Sequence, residues 1–288
     1  MGRCRCDHHD APSGKPTMKQ KKLIWFIVIS FALSWGCWLP VLHQIESSPF
    51  SSAPVVMLLF FIGAYSPTFT GIFLTAFFDG KSGLRDMKSR LRLGRKDWKW
   101  MLACLAVGPV LYGLAFLGYS AFNGQVGDVN YGLLPWLPIV FVVPVIFGPL
   151  AEEFGWRGFV LPLLNPKAQP IKSSIIVGLI WAVWHAPLFW AKTGTAISGF
   201  EITLPLVALF IVAVVGSSFI YTWAFNNTAG NISIAIFIHL GMNSSGTIRG
   251  MLFPDMGLDA SLDFYQYYVV VLWCFVLVGG WVAHRYRR

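Results

Sequence analysis

The chain has 288 residues, of which 56% are hydrophobic and only 12% charged, with a formal net charge of +9. A soluble domain carries about twice that fraction of charge, so a water-soluble enzyme or binding module is excluded. The cations cluster between apolar runs, as membrane topology demands, which removes nucleic acid as the reason for the basic balance.

Residues 1–17 form a polar tail that holds Cys4, Cys6, His8 and His9. No apolar sequence surrounds this compact group, so the tail reads as disordered rather than as a metal module. Met18 opens a stretch, MKQKKLIWFIVISF, that looks like a natural membrane-protein start. The expected organisation is therefore a dispensable tail over 1–17 and a single transmembrane domain over 18–288. Cys37, Cys104 and Cys274 lie in apolar runs, and the scattered cysteines give no disulfide framework.

Apolar runs long enough to span a bilayer as helices recur along the chain. They predict an all-α polytopic membrane protein with about eight transmembrane helices, near 23–42, 54–78, 100–122, 138–164, 173–191, 203–225, 231–247 and 266–284. Basic residues precede the first run and no small-residue cleavage site follows it, so it reads as a retained anchor. Between the second and third runs lie Lys81, Arg85, Lys88, Arg90, Arg92, Arg95, Lys96 and Lys99. In that loop Leu84, Met87, Leu91 and Trp98 can share one apolar side, which predicts an interfacial helix. Glu46 and Asp128 mark loops without cations, apart from a lone Lys192, and Asp255, Asp259 and Asp263 outweigh Arg249 in the last loop. Arg285, Arg287 and Arg288 close the chain. Basic and non-basic loops alternate, which predicts both termini in the cytoplasm.

Ionisable residues inside the runs are few, and each costs roughly 2.5–3.5 kcal/mol to insert at the centre of a bilayer. Glu152, Glu153, Arg157, His185 and His239 stand out, with Asn243 as a polar companion. In AEEFGWRGF, Glu153 and Arg157 are four apart and face each other on a helix. Glu152 is turned about 100° away, which leaves it free for chemistry. His185 follows Trp181 by four residues, and alone it could be an interior histidine with a hydrogen bond. His239 and Asn243 share a face and could simply bond helices together. Counted from the inner ends at about 1.5 Å per residue, Glu152, His185 and His239 reach similar depths, which favours one shared site.

A buried carboxylate suits a general base acting on water. One imidazole could orient that water or protonate a leaving amine, and a second imidazole with an amide could donate to an oxyanion. Zinc held by Glu152, His185 and His239 is a rival account of the same residues. Metal-free and zinc-dependent chemistry both stay open, and the residues alone leave the cofactor unknown.

EEFGWR, the aromatic-x-x-x-His of WAVWH and the His-x-x-x-Asn of HLGMN occur in that order on successive runs. This pattern resembles the CPBP family of intramembrane proteases, which includes type II CAAX prenyl endopeptidases and the bacteriocin self-immunity (Abi) proteins. Trp181 stands where the family usually has Phe. The resemblance implies eight helices around an intramembrane catalytic cavity. It implies Glu152 as the catalytic base assisted by His185, His239 and Asn243 as oxyanion donors, and Glu153 and Arg157 as site-shaping residues, with Trp181 beside them. The family has been described both with and without zinc. The implied substrate is a membrane-associated peptide or protein in a bilayer, and the short loops suit a bacterial or archaeal cytoplasmic membrane. A non-catalytic immunity or peptide-binding protein is the alternative function.

Overall fold

The computed structural model describes residues 16–95, 97–124 and 127–285. Cys4, Cys6, His8 and His9, with Lys96, Arg287 and Arg288, lie outside the described residues. The described chain is helical with no strand. Its helices are α1 (Met18–Trp38), α2 (Pro54–Ala64), α3 (Ser66–Ser89) and α4 (Trp98–Asn123). Short helices follow: α5 (Leu137–Val142), α6 (Pro144–Phe147), α7 (Pro149–Gly155) and α8 (Leu161–Leu163). The long helices resume with α9 (Pro170–Trp184), α10 (Leu204–Asn227), α11 (Ile232–Leu252) and α12 (Leu258–Arg285).

Among the described residues four segments, Met18–Gln44, Trp98–Asn123, Leu204–Asn227 and Leu258–Ala283, are long and apolar enough to cross a bilayer. The pair α2 and α3, bent by 48° at Tyr65, makes a fifth if it counts as one span. Length and composition therefore do not reproduce the expected count of eight. The missing three are the run at 138–164, the fifteen-residue α9 and the polar α11. The first of these is not the continuous helix expected. Pro144, Pro149 and Pro162 each open a new short helix, since proline lacks an N–H and clashes with the preceding turn. The helix at 173–191 is likewise shorter than expected: it ends at Trp184, and a 3-10 turn over Ala186–Trp190 follows.

The interfacial segment is also shorter than read. Gly80 adopts φ 59°, a left-handed value that favours glycine, and redirects the end of α3. Past this kink Met87 is buried, whereas Leu91 lies beyond α3 and Trp98 opens α4, both exposed. The chain then ties back to the bundle. Ile232 N–H donates to the Arg90 carbonyl at 2.9 Å, and Arg92 Nη2 donates to the Thr228 carbonyl at 2.8 Å.

Small residues set the closest helix contacts, as packing in lipid favours. A methyl group on Gly108 of α4 would overlap the Gly241 carbonyl of α11, and one on Gly241 would overlap the Leu105 carbonyl. Gly155 of α7 meets the backbone of α3 at Pro67 in the same way. These approaches hold α7 and α11, which carry Glu152, Glu153, His239 and Asn243, against the rest of the bundle.

Candidate active site

Glu152 and Glu153 sit on α7, which Gly148 and Pro149 start afresh inside the broken run. A π-helical turn, Trp156–Val160, follows directly. Such turns are rare and recur at functional sites. This one carries Trp156 and Arg157 inward, and both are fully buried.

Glu152 is 7% exposed, and its Oε2 accepts hydrogen bonds from two indoles. Trp181 Nε1 donates at 2.6 Å and Trp156 Nε1 at 3.1 Å. Glu152, turned away from the Glu153–Arg157 pair, thus has one of its oxygens satisfied by two neutral donors. Among the described residues none donates to Oε1. The arrangement stabilises a carboxylate without neutralising it, and leaves one oxygen for a guest.

Glu153 is fully buried and joins two helices. It accepts from Arg157 Nη1 at 2.9 Å and lies 2.7 Å from His239 Nδ1. Since a carboxylate can only accept, Nδ1 carries the hydrogen and donates to Glu153. The Arg157 guanidinium lies 3.7 Å from the Tyr221 ring centroid and 4.7 Å from that of Trp181. Its Nε and Nη2 are buried and make no hydrogen bond among the described residues, and neither does the Tyr221 hydroxyl. Stacking on two aromatic faces in a dry site supplies part of what solvent would give the cation.

His185 caps the C-terminus of α9 rather than lying within a helix. Its Nδ1 is 2.9 Å from the Trp181 carbonyl, which again requires the hydrogen on Nδ1 and leaves Nε2 as the acceptor of a neutral ring. Trp181 thus holds both groups, Glu152 through its indole and His185 through its backbone. Trp184 and Phe210 pack edge-on against the His185 ring at 4.6 and 5.8 Å between centroids.

His239 is 4% exposed and packs edge-on to Trp181 at 5.7 Å. Asn243, one turn later on α11, is exposed. The free edges of both side chains approach the α-carbon of Gly148 from the same side. The fold thus gathers Glu152, Glu153, Arg157, Trp181, His185, His239 and Asn243 into one cluster. Trp156, Tyr221 and Gly148 join it without having been singled out in the sequence. Trp156 follows Glu152 by four residues, the spacing that linked Glu153 to Arg157, so its place was open to reading. Tyr221 is a neutral aromatic in an apolar helix and gave no signal.

The donor set does not fit a metal as arranged. Among the described residues no three His, Cys, Asp or Glu side chains gather as a metal-holding group. No step below is routed through zinc.

Residues 134–245 match the family model described as type II CAAX prenyl endopeptidase Rce1-like, and that stretch contains every residue of the cluster. CAAX prenyl protease 2 of Methanococcus maripaludis is 22% identical over 224 residues, covering 76% of this chain and 81% of that protein. Both comparisons fall on the CAAX-protease side of the resemblance drawn from the motifs. With the three motifs in order and their side chains gathered in one place, the chain is similar to CAAX proteases in both comparisons.

Proposed function

We propose that the chain hydrolyses peptide bonds of membrane-associated peptides or proteins by a Glu/His mechanism. Glu152 takes a proton from water, and the hydroxide equivalent attacks the scissile carbonyl. His185 orients the water through Nε2, and the proton that Glu152 has taken passes by way of that nitrogen to the departing amine. His239 and Asn243 donate to the oxyanion, while Glu153 and Arg157 hold His239. Trp181 sets Glu152 and His185 relative to each other.

One observation carries this reading: Glu152 has one oxygen held by two indoles and the other unengaged. A purely structural carboxylate at that depth would use both oxygens, because burial of an unpaired charge is costly. With Nδ1 bound to Glu153, His239 donates from Nε2 only as the imidazolium, and the second carboxylate of the EE pair has a role of its own, because it fixes the orientation of that ring.

The test uses the purified full chain in proteoliposomes with a membrane-peptide library, each peptide offered with and without a prenyl group. Wild type should cleave a subset, and Glu152→Gln should lower kcat by about 10²–10⁴, the usual worth of a general base. Parallel reactions with a chelator report any metal need. Equal rates for wild type and Glu152→Gln would remove the mechanism. Tight binding of library peptides with no cleavage would return the non-catalytic alternative. The prenyl arms decide whether the substrate named for the archaeal relative is also the substrate here.

A further inference from the structure

We propose that Ser34 and Trp35 of α1 are positioning residues for the reaction, acting through Trp184 on the ring of His185. This rests on the roles given above to Glu152 and His185. The first helix holds none of the three motifs. Its buried residues are Phe26, Ser30, Ser34 and Trp38, one face at a spacing of four. Ser34 is fully buried and accepts the indole N–H of Trp184 at 2.5 Å. The Ser34 hydroxyl is itself fixed, 2.8 Å from the Ser30 carbonyl and 3.0 Å from the Gly63 carbonyl near the end of α2. The Ser66 hydroxyl of α3, also bonded to the Ser30 carbonyl at 3.0 Å, closes the group. The next residue of α1 holds the backbone: Trp35 Nε1 donates to the Trp184 carbonyl at 3.0 Å. The last carbonyls of a helix lack partners within it. Three residues beyond Trp184 stands Pro187, which has no N–H to give. Trp35 supplies that donor. Consecutive residues of α1 thus fix Trp184 by side chain and main chain, immediately before His185.

Trp184 touches the supports of both reacting groups. Its ring meets that of His185 edge-on at 4.6 Å and that of Trp156 at 5.9 Å between centroids. Trp156 is one of the two indoles on Glu152. The bond from His185 Nδ1 to the Trp181 carbonyl fixes one point of the imidazole and leaves its plane free to tilt. Trp184 and Phe210 limit that tilt, and with it the direction of Nε2. An apolar contact alone would let Trp184 slide. A buried indole N–H donates along one direction only, so the Ser34 oxygen sets the rotation of the ring. Rotation of Trp184 would move the His185 ring and loosen Trp156 behind Glu152 together.

The experiment measures kcat and KM in the full chain, with a peptide that wild type cleaves, well below the thermal midpoint of each variant. The variants are Ser34→Ala, Trp184→Phe, their double, Trp35→Phe and Ser30→Ala, beside Glu152→Gln. Ser34→Ala should lower kcat about tenfold, since a 1 Å misplacement costs about 100-fold and a tilted ring moves less. KM should stay within about threefold. Ser30→Ala is the control. It deletes the same hydroxyl on the same face one turn earlier, where that group bonds only the Phe26 carbonyl of its own helix at 2.7 Å. Its kcat should stay within about twofold of wild type. The double variant should be no worse than Trp184→Phe by more than about threefold, because both changes remove one bond. Three results overturn the proposal: a kcat for Ser34→Ala within about twofold of wild type, an equal loss in Ser30→Ala, or a double variant showing the product of both losses. Each leaves the mechanism standing if Glu152→Gln has lost its activity. Activity retained by Glu152→Gln would instead remove that mechanism, and the proposal with it. If Ser34→Ala does not fold, Trp35→Phe decides, since Trp35 is half-buried and the change keeps a ring while removing the donor. It should lower kcat at least about threefold with KM held, and a kcat equal to wild type overturns the proposal.

Discussion

At the level of single residues, the two indoles on Glu152 Oε2 account for a buried carboxylate in an apolar setting. A hydrogen bond to a charged group contributes about 1.5–3 kcal/mol, and stranding the charge costs more. Trp181 makes the shorter of the two bonds at 2.6 Å. Trp181→Phe fits the space, keeps the ring against His239 and removes only the donor. It should lower kcat about tenfold, the kinetic equivalent of roughly 1.4 kcal/mol, and reduce unfolding stability by about 1–3 kcal/mol. Steady-state kinetics and thermal unfolding check both. An unchanged kcat would show that Trp156 alone is enough to hold the carboxylate. The same comparison shows what the sequence could carry. The pairing of Glu153 with Arg157 needed only helical spacing, and it stands at 2.9 Å. The indole bonds were illegible because Trp181 belongs to another helix, and the direction of its N–H depends on how α9 packs. His239 was visible as a polar residue, but its bond to Glu153 crosses 86 positions and no local pattern encodes it.

The elements around the site show why spans were easier to locate than to delimit. The apolar run at 138–164 marks a segment that hydrophobicity would keep in a bilayer. It could not show that α5 to α8 and the π turn would share that run. The prolines were the available signal, and their consequence is that depth counted at a fixed rise per residue does not describe Glu152. Irregular backbone inside a membrane is tolerated only where protein satisfies it. Arg90 does part of this: its Nη2 donates to the Gly158 carbonyl of the π turn at 2.8 Å. Its Nε also pairs with Asp86 at 3.1 Å, but Asp86 is largely exposed. The two bonds should thus differ in worth. Arg90→Ala should cost about 1.5–3 kcal/mol of stability, since the partner is a partly buried carbonyl at a charged donor. Asp86→Ala should cost less than about 1 kcal/mol, as exposed pairs do. Thermal unfolding in one detergent separates them. Equal losses would mean that Arg90 serves the loop and not the π turn.

For the molecule as a whole, polar ties sort the connecting segments into two faces. Lys22 pairs with Asp79 at 2.6 Å, which brings the start of α1 beside α3 near its kink. The end of α10 reaches the segment before α9, as Asn226 Nδ2 donates to the Pro166 carbonyl at 2.9 Å. The start of α11 joins this face through Arg90 and Arg92. On the other face Lys192 pairs with Glu46 at 2.7 Å, so the lone cation expected in that loop is matched by an acid. Asn130 N–H donates to the Leu252 carbonyl at 2.8 Å and adds the segments after α4 and α11 to the same face. The first face collects the basic loop at 79–99 and the second collects Glu46, Asp128 and the acidic loop near Asp255. Positive charge is retained on the cytoplasmic side during insertion, which predicts that the first face lies in the cytoplasm. Two exposed positions test this in a chain freed of its five cysteines: Ser82→Cys on the basic face and Asp259→Cys on the acidic one. A membrane-impermeant maleimide should label the cysteine at 259 on intact cells, and the one at 82 only after permeabilisation. The opposite pattern would invert the protein. The charge rule would then have failed for a chain whose basic loop is its most highly charged segment.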